Sequence, residues 1–234
     1  MSLQPTTPQF KDNAHHALHD AQLQKALGNV RNNFVERRAA AAARLPEFEA
    51  LRDSARDIKN HVLAHLDLYL ERYEENVRAS GGHVHFARTS QEACETILDI
   101  CKSHGAKSVT KGKSMVTEEI GLNATLEGAG LPAIETDLGE YIIQLRGEAH
   151  SHIIAPAVHL NKEQVEEDFR RVHTHLPPER DLTEPETLLG EARAILRQKF
   201  LSADIGITGA NFLVSETGSS IIVTNEGKIG RAHV

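Results

Sequence analysis

No apolar run in this chain of 234 residues approaches the roughly 20 residues needed to span a bilayer. The amino terminus also lacks a charged stretch followed by an apolar one, so no export signal is read there and the expected location is cytoplasmic. A basic stripe is missing too. The formal net charge is -7 with both signs interspersed, which argues against nucleic acid or an anionic membrane as partner. Cysteine is scarce: Cys94 and Cys101 are the only two, and they lie seven apart on what reads as one helix. That spacing favours neither a local bridge nor a metal site, so buried free thiols are expected. Neither a Walker loop nor a dinucleotide fingerprint is present, and a nucleotide site is not expected.

What is present divides into two textures. Residues 1–80 form a helical amino-terminal segment. Its first helix is read over 14–43, where Ala17, Leu18, Ala21, Leu27, Val30 and Phe34 recur at helical intervals. Pro46 interrupts it, and a second helix over 47–80 carries the stripe Leu51, Ile58, Val62, Leu66, Leu70, Tyr73 and Val77. His61 and His65 stand four apart on that helix, but no further ligands cluster with them, and no metal site is expected. From residue 81 to 227 short strands alternate with helices. Strands are read at 83–87, 107–110, 133–136 and 152–155, with helices at 90–104, 116–127, 139–145, 162–173 and 186–201. Such alternation implies an α/β domain with a mostly parallel sheet covered by helices, and places a ligand site at the carboxyl ends of the strands.

The stretch from Ala203 to Gly227 reads as a β-hairpin. Two β-branched runs, 205–214 and 220–224, flank Glu216-Thr217-Gly218, where Gly218 supplies the positive φ of the turn. Gly206, Gly209 and Ala210 leave the first run open to close approach by another segment or a ligand.

Two strand-to-helix loops fit the strand-end rule. Lys111-Gly112-Lys113-Ser114 offers two ammonium groups and unpaired backbone N–H groups at a helix start, an anion cradle, although Ser114 serves equally as an N-cap with Glu118 and Glu119 complementing the dipole. Glu135, Asp137 and Glu140 place three carboxylates at the next junction. Paired carboxylates can share a proton or hold a hard cation, and Asp137 can also simply cap a helix. His150, His152 and His159 surround the following strand, where an imidazole near carboxylates can move protons at neutral pH.

With these residues in view, the chain resembles the lactate-utilization protein B family, whose amino-terminal part is a LUD domain. The resemblance rests on Lys113-Ser114-Met115-Val116-Thr117-Glu118-Glu119-Ile120-Gly121-Leu122-Asn123 and on Glu135-Thr136-Asp137-Leu138-Gly139-Glu140-Tyr141-Ile142. It rests further on Ser151-His152-Ile153-Ile154 with Pro156-Ala157 and His159, and on Gly206 to Phe212 through Glu216-Thr217-Gly218 to Thr224-Asn225-Glu226-Gly227. Leu66-Asp67 and Tyr69-Leu70 extend it towards the amino terminus.

The resemblance implies a sheet of the NagB/RpiA/CoA-transferase type and membership of a cytoplasmic iron–sulfur complex that oxidises L-lactate to pyruvate. It implies as partners the other lactate-utilization subunits, with lactate or another small anion as ligand. Family members carry 4Fe-4S clusters in a ferredoxin-like carboxy-terminal half. Each cluster takes four thiolates, so this chain is expected to hold no cofactor and to be inactive alone, the clusters lying in a half beyond it. Residues 228–234, Lys-Ile-Gly-Arg-Ala-His-Val, resemble a translated sequencing adapter and are expected to be a processing scar.

For lactate chemistry, a cation would meet the carboxylate and a base the hydroxyl. Lys111 or Lys113 is the candidate cation and His152 the candidate base, and Glu216 is the candidate catalytic group of the acyl-transfer alternative. Lys111, Gly112, Lys113, Ser114, Asp137, Glu140, Asn211, Thr217 and Gly218 are the candidate substrate- or anion-binding positions. Two alternatives stand beside electron transfer. One is acyl transfer through Glu216, because Glu216-Thr217-Gly218 is similar to the glutamate motif of some CoA-transferases. The other is a scaffold without catalysis.

Overall fold

The computed structural model describes residues 7–112, 114–148, 150–151 and 155–223. The single helix expected over 14–43 is instead four pieces. α1 (Phe10–His19) and α2 (Ala21–Val30) are separated at Asp20, whose φ of -77° and ψ of 100° are extended and whose side chain accepts from Leu23 N. A π-helical turn, Arg31–Val35, then leads into α3 (Glu36–Ala43). The second long helix is likewise divided at His65, into α4 (Phe48–Ala64) and α5 (Leu66–Ala79).

The remaining elements follow as α6 (Ser90–Ser103), β1 (Val109–Gly112), α7 (Met115–Glu119), α8 (Leu122–Gly128), β2 (Ala133–Glu135) and α9 (Leu138–Arg146). After them come α10 (Lys162–Val172), α11 (Pro185–Ser202), β3 (Ile205–Thr208), β4 (Phe212–Val214) and β5 (Ser219–Ile221). The strand expected at 83–87 does not form; those residues have no regular structure. The expected helix over 116–127 is two helices, because Gly121 takes φ 71° between α7 and α8. The expected strand at 152–155 lies largely outside the described residues.

The chain packs as two compact units, one comprising the sequence up to Arg38 with Arg88–Thr208, the other Ala39–Ala87 with the sequence from Gly209. Among its described residues, the first unit holds a three-stranded parallel sheet in the order β2-β1-β3. Helices cover it, which is the α/β layering the alternation implies. Val109, Leu122, Leu126 and Ala133 form its apolar core with Cys94 and Cys101 of α6, and Ile205 and Ile207 pack against them. Both cysteines are free and buried. A second core joins α9, α10 and α11 through Tyr141, Ile142, Phe169, Leu182, Leu188 and Ala192. Asp204 ties the sheet's lower end: its carboxylate accepts from Lys107 N at 2.8 Å, Ser108 N at 3.0 Å and Ser108 Oγ at 3.0 Å.

In the second unit, β4 and β5 pair antiparallel through the turn at 215–218. The run 205–214 is therefore not one hairpin strand, since Ile205–Thr208 joins the parallel sheet and the hairpin begins at Phe212. Gly218 does supply the positive φ, at 70°. The close approach sits here as well, not at Gly206. A Cβ on Gly218 would stand 2.5 Å from Val77 N and 2.7 Å from Asn76 C, whereas one on Gly206 would meet only Thr110 Oγ1 at 3.9 Å. Asn76 donates to Ser215 O at 2.8 Å and Glu216 O at 3.1 Å, fixing the turn against α5.

Candidate functional site

The carboxyl ends of β1 and β2 carry the most unusual chemistry of the first unit. Lys111 and Glu135 are direct partners in the parallel register, so their side chains leave the sheet on one face. Lys111 is 1% exposed and Glu135 2% exposed, and Lys111 Nζ lies 2.9 Å from Glu135 Oε1. Glu118, reaching over from α7, is the second carboxylate on that ammonium. Burial pushes the Lys111 ammonium towards its neutral form, but Glu135 and Glu118 together outweigh it and hold the group above its ordinary pKa.

Local structure explains how these side chains reach one another. Gln144 of α9 latches β2, accepting from Glu135 N at 3.0 Å and donating to Ala133 O at 2.7 Å. Thr136 returns to β1 through its N–H and its hydroxyl, both 2.9 Å from Lys111 O. Ser114 caps α7 by accepting from Thr117 N, which presents Glu118 in the first turn. Asn123 donates to Glu135 Oε1 at 2.9 Å. Two buried acceptors in this cluster have no hydrogen-bond partner among the described residues, Glu135 Oε2 and Asn123 Oδ1. At the rim, His150 Nδ1 stands 3.9 Å from Glu118 Oε2.

Of the residues singled out from sequence, Lys111, Gly112, Ser114, Asp137 and Glu140 are all buried and belong to these strand ends and the helices that follow them. Asp137 caps α9, accepting from Gly139 N at 3.0 Å and Glu140 N at 3.3 Å. Lys113 and His152 lie outside the described residues. Asn211, Glu216, Thr217 and Gly218 belong to the other unit. There Asn211 supports the hairpin by donating its N–H to Ile221 O at 2.9 Å and accepting from Val223 N at 2.8 Å. Glu216 is exposed in the turn, and Thr217 Oγ1 donates to Ser219 Oγ at 2.9 Å.

Sequence reasoning takes Glu118 for a helix-dipole complement, names Glu135 only as one of three carboxylates at its junction, and gives Asn123 no role of its own. It also missed a buried relay in the second core. Tyr141 Oη lies 2.8 Å from His173 Nε2, His173 Nδ1 lies 2.7 Å from Glu191 Oε1, and Arg180 Nε donates to Glu191 Oε2 at 2.6 Å. Burial opposes charge on Glu191, yet Arg180 and His173 prevail and hold its carboxyl below the usual range. Burial also pushes the Tyr141 phenol up to about 12, with the Glu191 charge adding to the effect. A cavity of about 280 Å³ borders Glu191, lined by His175, Leu176, Ala194, Ile195 and Gln198 as well. Its lining shares no residue with the Lys111 cluster. Elsewhere His159 stands between Ser151 Oγ, 2.6 Å from Nδ1, and Glu148 Oε2, 3.1 Å from Nε2.

No group of three or more His, Cys, Asp or Glu side chains among the described residues is arranged to hold a metal ion. Among the described residues no helix is long and apolar enough to cross a membrane.

The family description LUD domain matches residues 70–234. The chain belongs to the LUD domain family. The match begins within α5 and takes in the parallel sheet, its buried Lys111 and the hairpin. Over 228 residues, this LUD chain is 45% identical to Lactate utilization protein B of Bacillus licheniformis, an alignment covering 97% of the chain and 47% of the relative. Identity to the Bacillus subtilis protein of the same name is 44%, with the same coverage. It is 43% to the Uncharacterized electron transport protein YkgF of Escherichia coli, over 97% of the chain and 47% of that protein. The LUD chain thus spans about half the length of these curated relatives. No solved structure matches it.

Proposed function

We propose that this chain is the LUD portion of an iron–sulfur electron-transfer subunit that takes part in oxidising L-lactate to pyruvate. The observation that carries the reading is the identity of 45% and 44%, across 97% of the chain, to two proteins named Lactate utilization protein B. A relative named for electron transport adds to it.

The chain's own thiols do not fit a cluster. A 4Fe-4S centre takes four thiolates, and this sequence has two cysteines. Both face the core, 4% and 1% exposed, and Cys94 donates its thiol to Ile120 O at 3.3 Å. Burial pushes the Cys101 thiol up, away from the thiolate a metal requires. In this reading the clusters are held by the portion of the relatives that this chain does not span, and its partners are the other lactate-utilization subunits. The LUD portion offers a charged, buried strand-end site and a surface for assembly.

A chimera tests the proposal. This chain replaces the aligned part of the Bacillus subtilis protein in a strain lacking that protein, and growth on L-lactate and lactate-dependent dye reduction by extracts are measured. Restored growth and reduction are expected. A chimera that is soluble and iron-loaded yet restores neither would refute the assignment.

A further inference from the structure

We propose that Glu118 occupies the seat of a small carboxylate ligand on Lys111, and that Glu135 Oε2 is the acceptor for a hydroxyl on the carbon next to that carboxylate. Lys111 is a buried, charged ammonium with two carboxylates on it, Glu135 and Glu118. The two differ in how they are held. Glu135 is 2% exposed and anchored by its strand and by Asn123, whereas Glu118 has a side chain 22% exposed on the short helix α7. The site is therefore reached from the Glu118 side. A departing Glu118 carboxylate has a neighbour ready, since its Oε2 already faces His150 Nδ1 at 3.9 Å.

The second half of the argument is the shortage of donors. Glu135 Oε2 and Asn123 Oδ1 are buried acceptors without a hydrogen-bond partner among the described residues. An unmet buried acceptor is costly, so a ligand that brings a donor to it gains stabilisation. A 2-hydroxycarboxylate has both required groups on adjacent carbons: an anion to take the place of Glu118 on Lys111, and an O–H to give to Glu135 Oε2. A simple carboxylate satisfies only the first.

The choice of L-lactate as the probe rests on the lactate-oxidation reading; the displacement of Glu118 does not. The test is calorimetric titration of the whole 234-residue chain with L-lactate and with propionate, which lacks the hydroxyl. L-Lactate is expected to bind about tenfold tighter than propionate, the worth of one good hydrogen bond to a charged acceptor. Glu118→Gln removes the competing charge and is expected to tighten both about tenfold, while Glu135→Gln narrows the lactate-to-propionate ratio. Lys111→Met abolishes binding of both; if that variant does not fold, Glu118→Gln decides alone, because Glu118 is partly exposed. Equal binding of the two ligands, or a Glu118→Gln chain that binds no tighter than the parent, overturns the proposal. The chimera separates the two readings. Failure there with the binding pattern intact removes lactate oxidation and leaves the seat, and success there with no effect of Glu118→Gln removes the seat alone.

Discussion

Lys111 and Glu135 face each other across adjacent parallel strands, Nζ to Oε1 at 2.9 Å, with almost no solvent reaching either side chain. Taking two charges out of water is expensive, and their attraction and hydrogen bonds recover that cost only while both are present. Lys111→Met leaves the Glu135 carboxylate buried without its cation and is expected to cost about 3–5 kcal/mol of stability, read by urea unfolding. The double variant Lys111→Met, Glu135→Leu regains most of that loss. A single variant as stable as the parent would show that the pair contributes nothing.

Gly218 supports the hairpin in two ways, by its φ of 70° and by the absence of a Cβ that would lie 2.5 Å from Val77 N. Gly218→Ala is expected to destabilise the second unit by about 2 kcal/mol or more, combining left-handed strain with an immovable backbone neighbour. Gly206→Ala, whose Cβ would make only an ordinary contact with Thr110 Oγ1 at 3.9 Å, serves as the control and changes stability by less than about 1 kcal/mol. Limited proteolysis at 209–223 should report the first change and not the second.

Alkaline titration provides a third check. Tyr141 is pushed up to about 12 by burial and by Glu191. Lys111 is also held above its ordinary pKa: its two carboxylates outweigh the burial that opposes them. Both groups have folded pKa values raised above their unfolded ones. The stability they contribute is complete below the unfolded values near pH 10 and is lost as pH rises through the folded ones. Melting temperature should therefore fall above pH 10, and ultraviolet titration should show a phenolate step near 12 that Tyr141→Phe removes.

On the acid side, Asp204 is held below its usual range by the Lys107 N–H first, with the hydroxyl and N–H of Ser108 adding to it. A depressed carboxylate stabilises the fold above its unfolded pKa and loses that contribution as pH falls through the folded one. Asp204→Asn is expected to lower the melting temperature at pH 7 and to flatten its decline below pH 4. An unchanged acid profile would remove Asp204 from the groups that set it.

Alternating textures made the α/β layering legible in the sequence, and the strand-end rule led to Lys111, Asp137 and Glu140. The partners of Lys111 were harder to read. Glu118 is seven positions away, but a strand-to-helix turn lies between them, so neither the helical nor the strand period carries from one to the other. Glu135 becomes its neighbour only once the strand register is known, and register across a parallel pair is a long-range fact. The Tyr141, His173, Arg180 and Glu191 relay converges from two helices and the segment between α10 and α11, so no local pattern announces it. Conversely, the β-branched run 205–214 looked continuous because propensity does not say with which strand a residue pairs. Gly209-Ala210-Asn211 is where the chain leaves one sheet and enters the other.

The order β2-β1-β3 also bears on how the polypeptide matures. The central strand meets its first neighbour within a short stretch, Val109 opposite Ala133, but its second only at Ile205, which follows in sequence after the three further helices α9, α10 and α11 of the described residues. Closing a loop of that size before any contact rewards it is slow. On the ribosome, β1 therefore waits with one edge bare until translation has passed Thr208, and nascent chains halted before that point are the ones that a chaperone should bind.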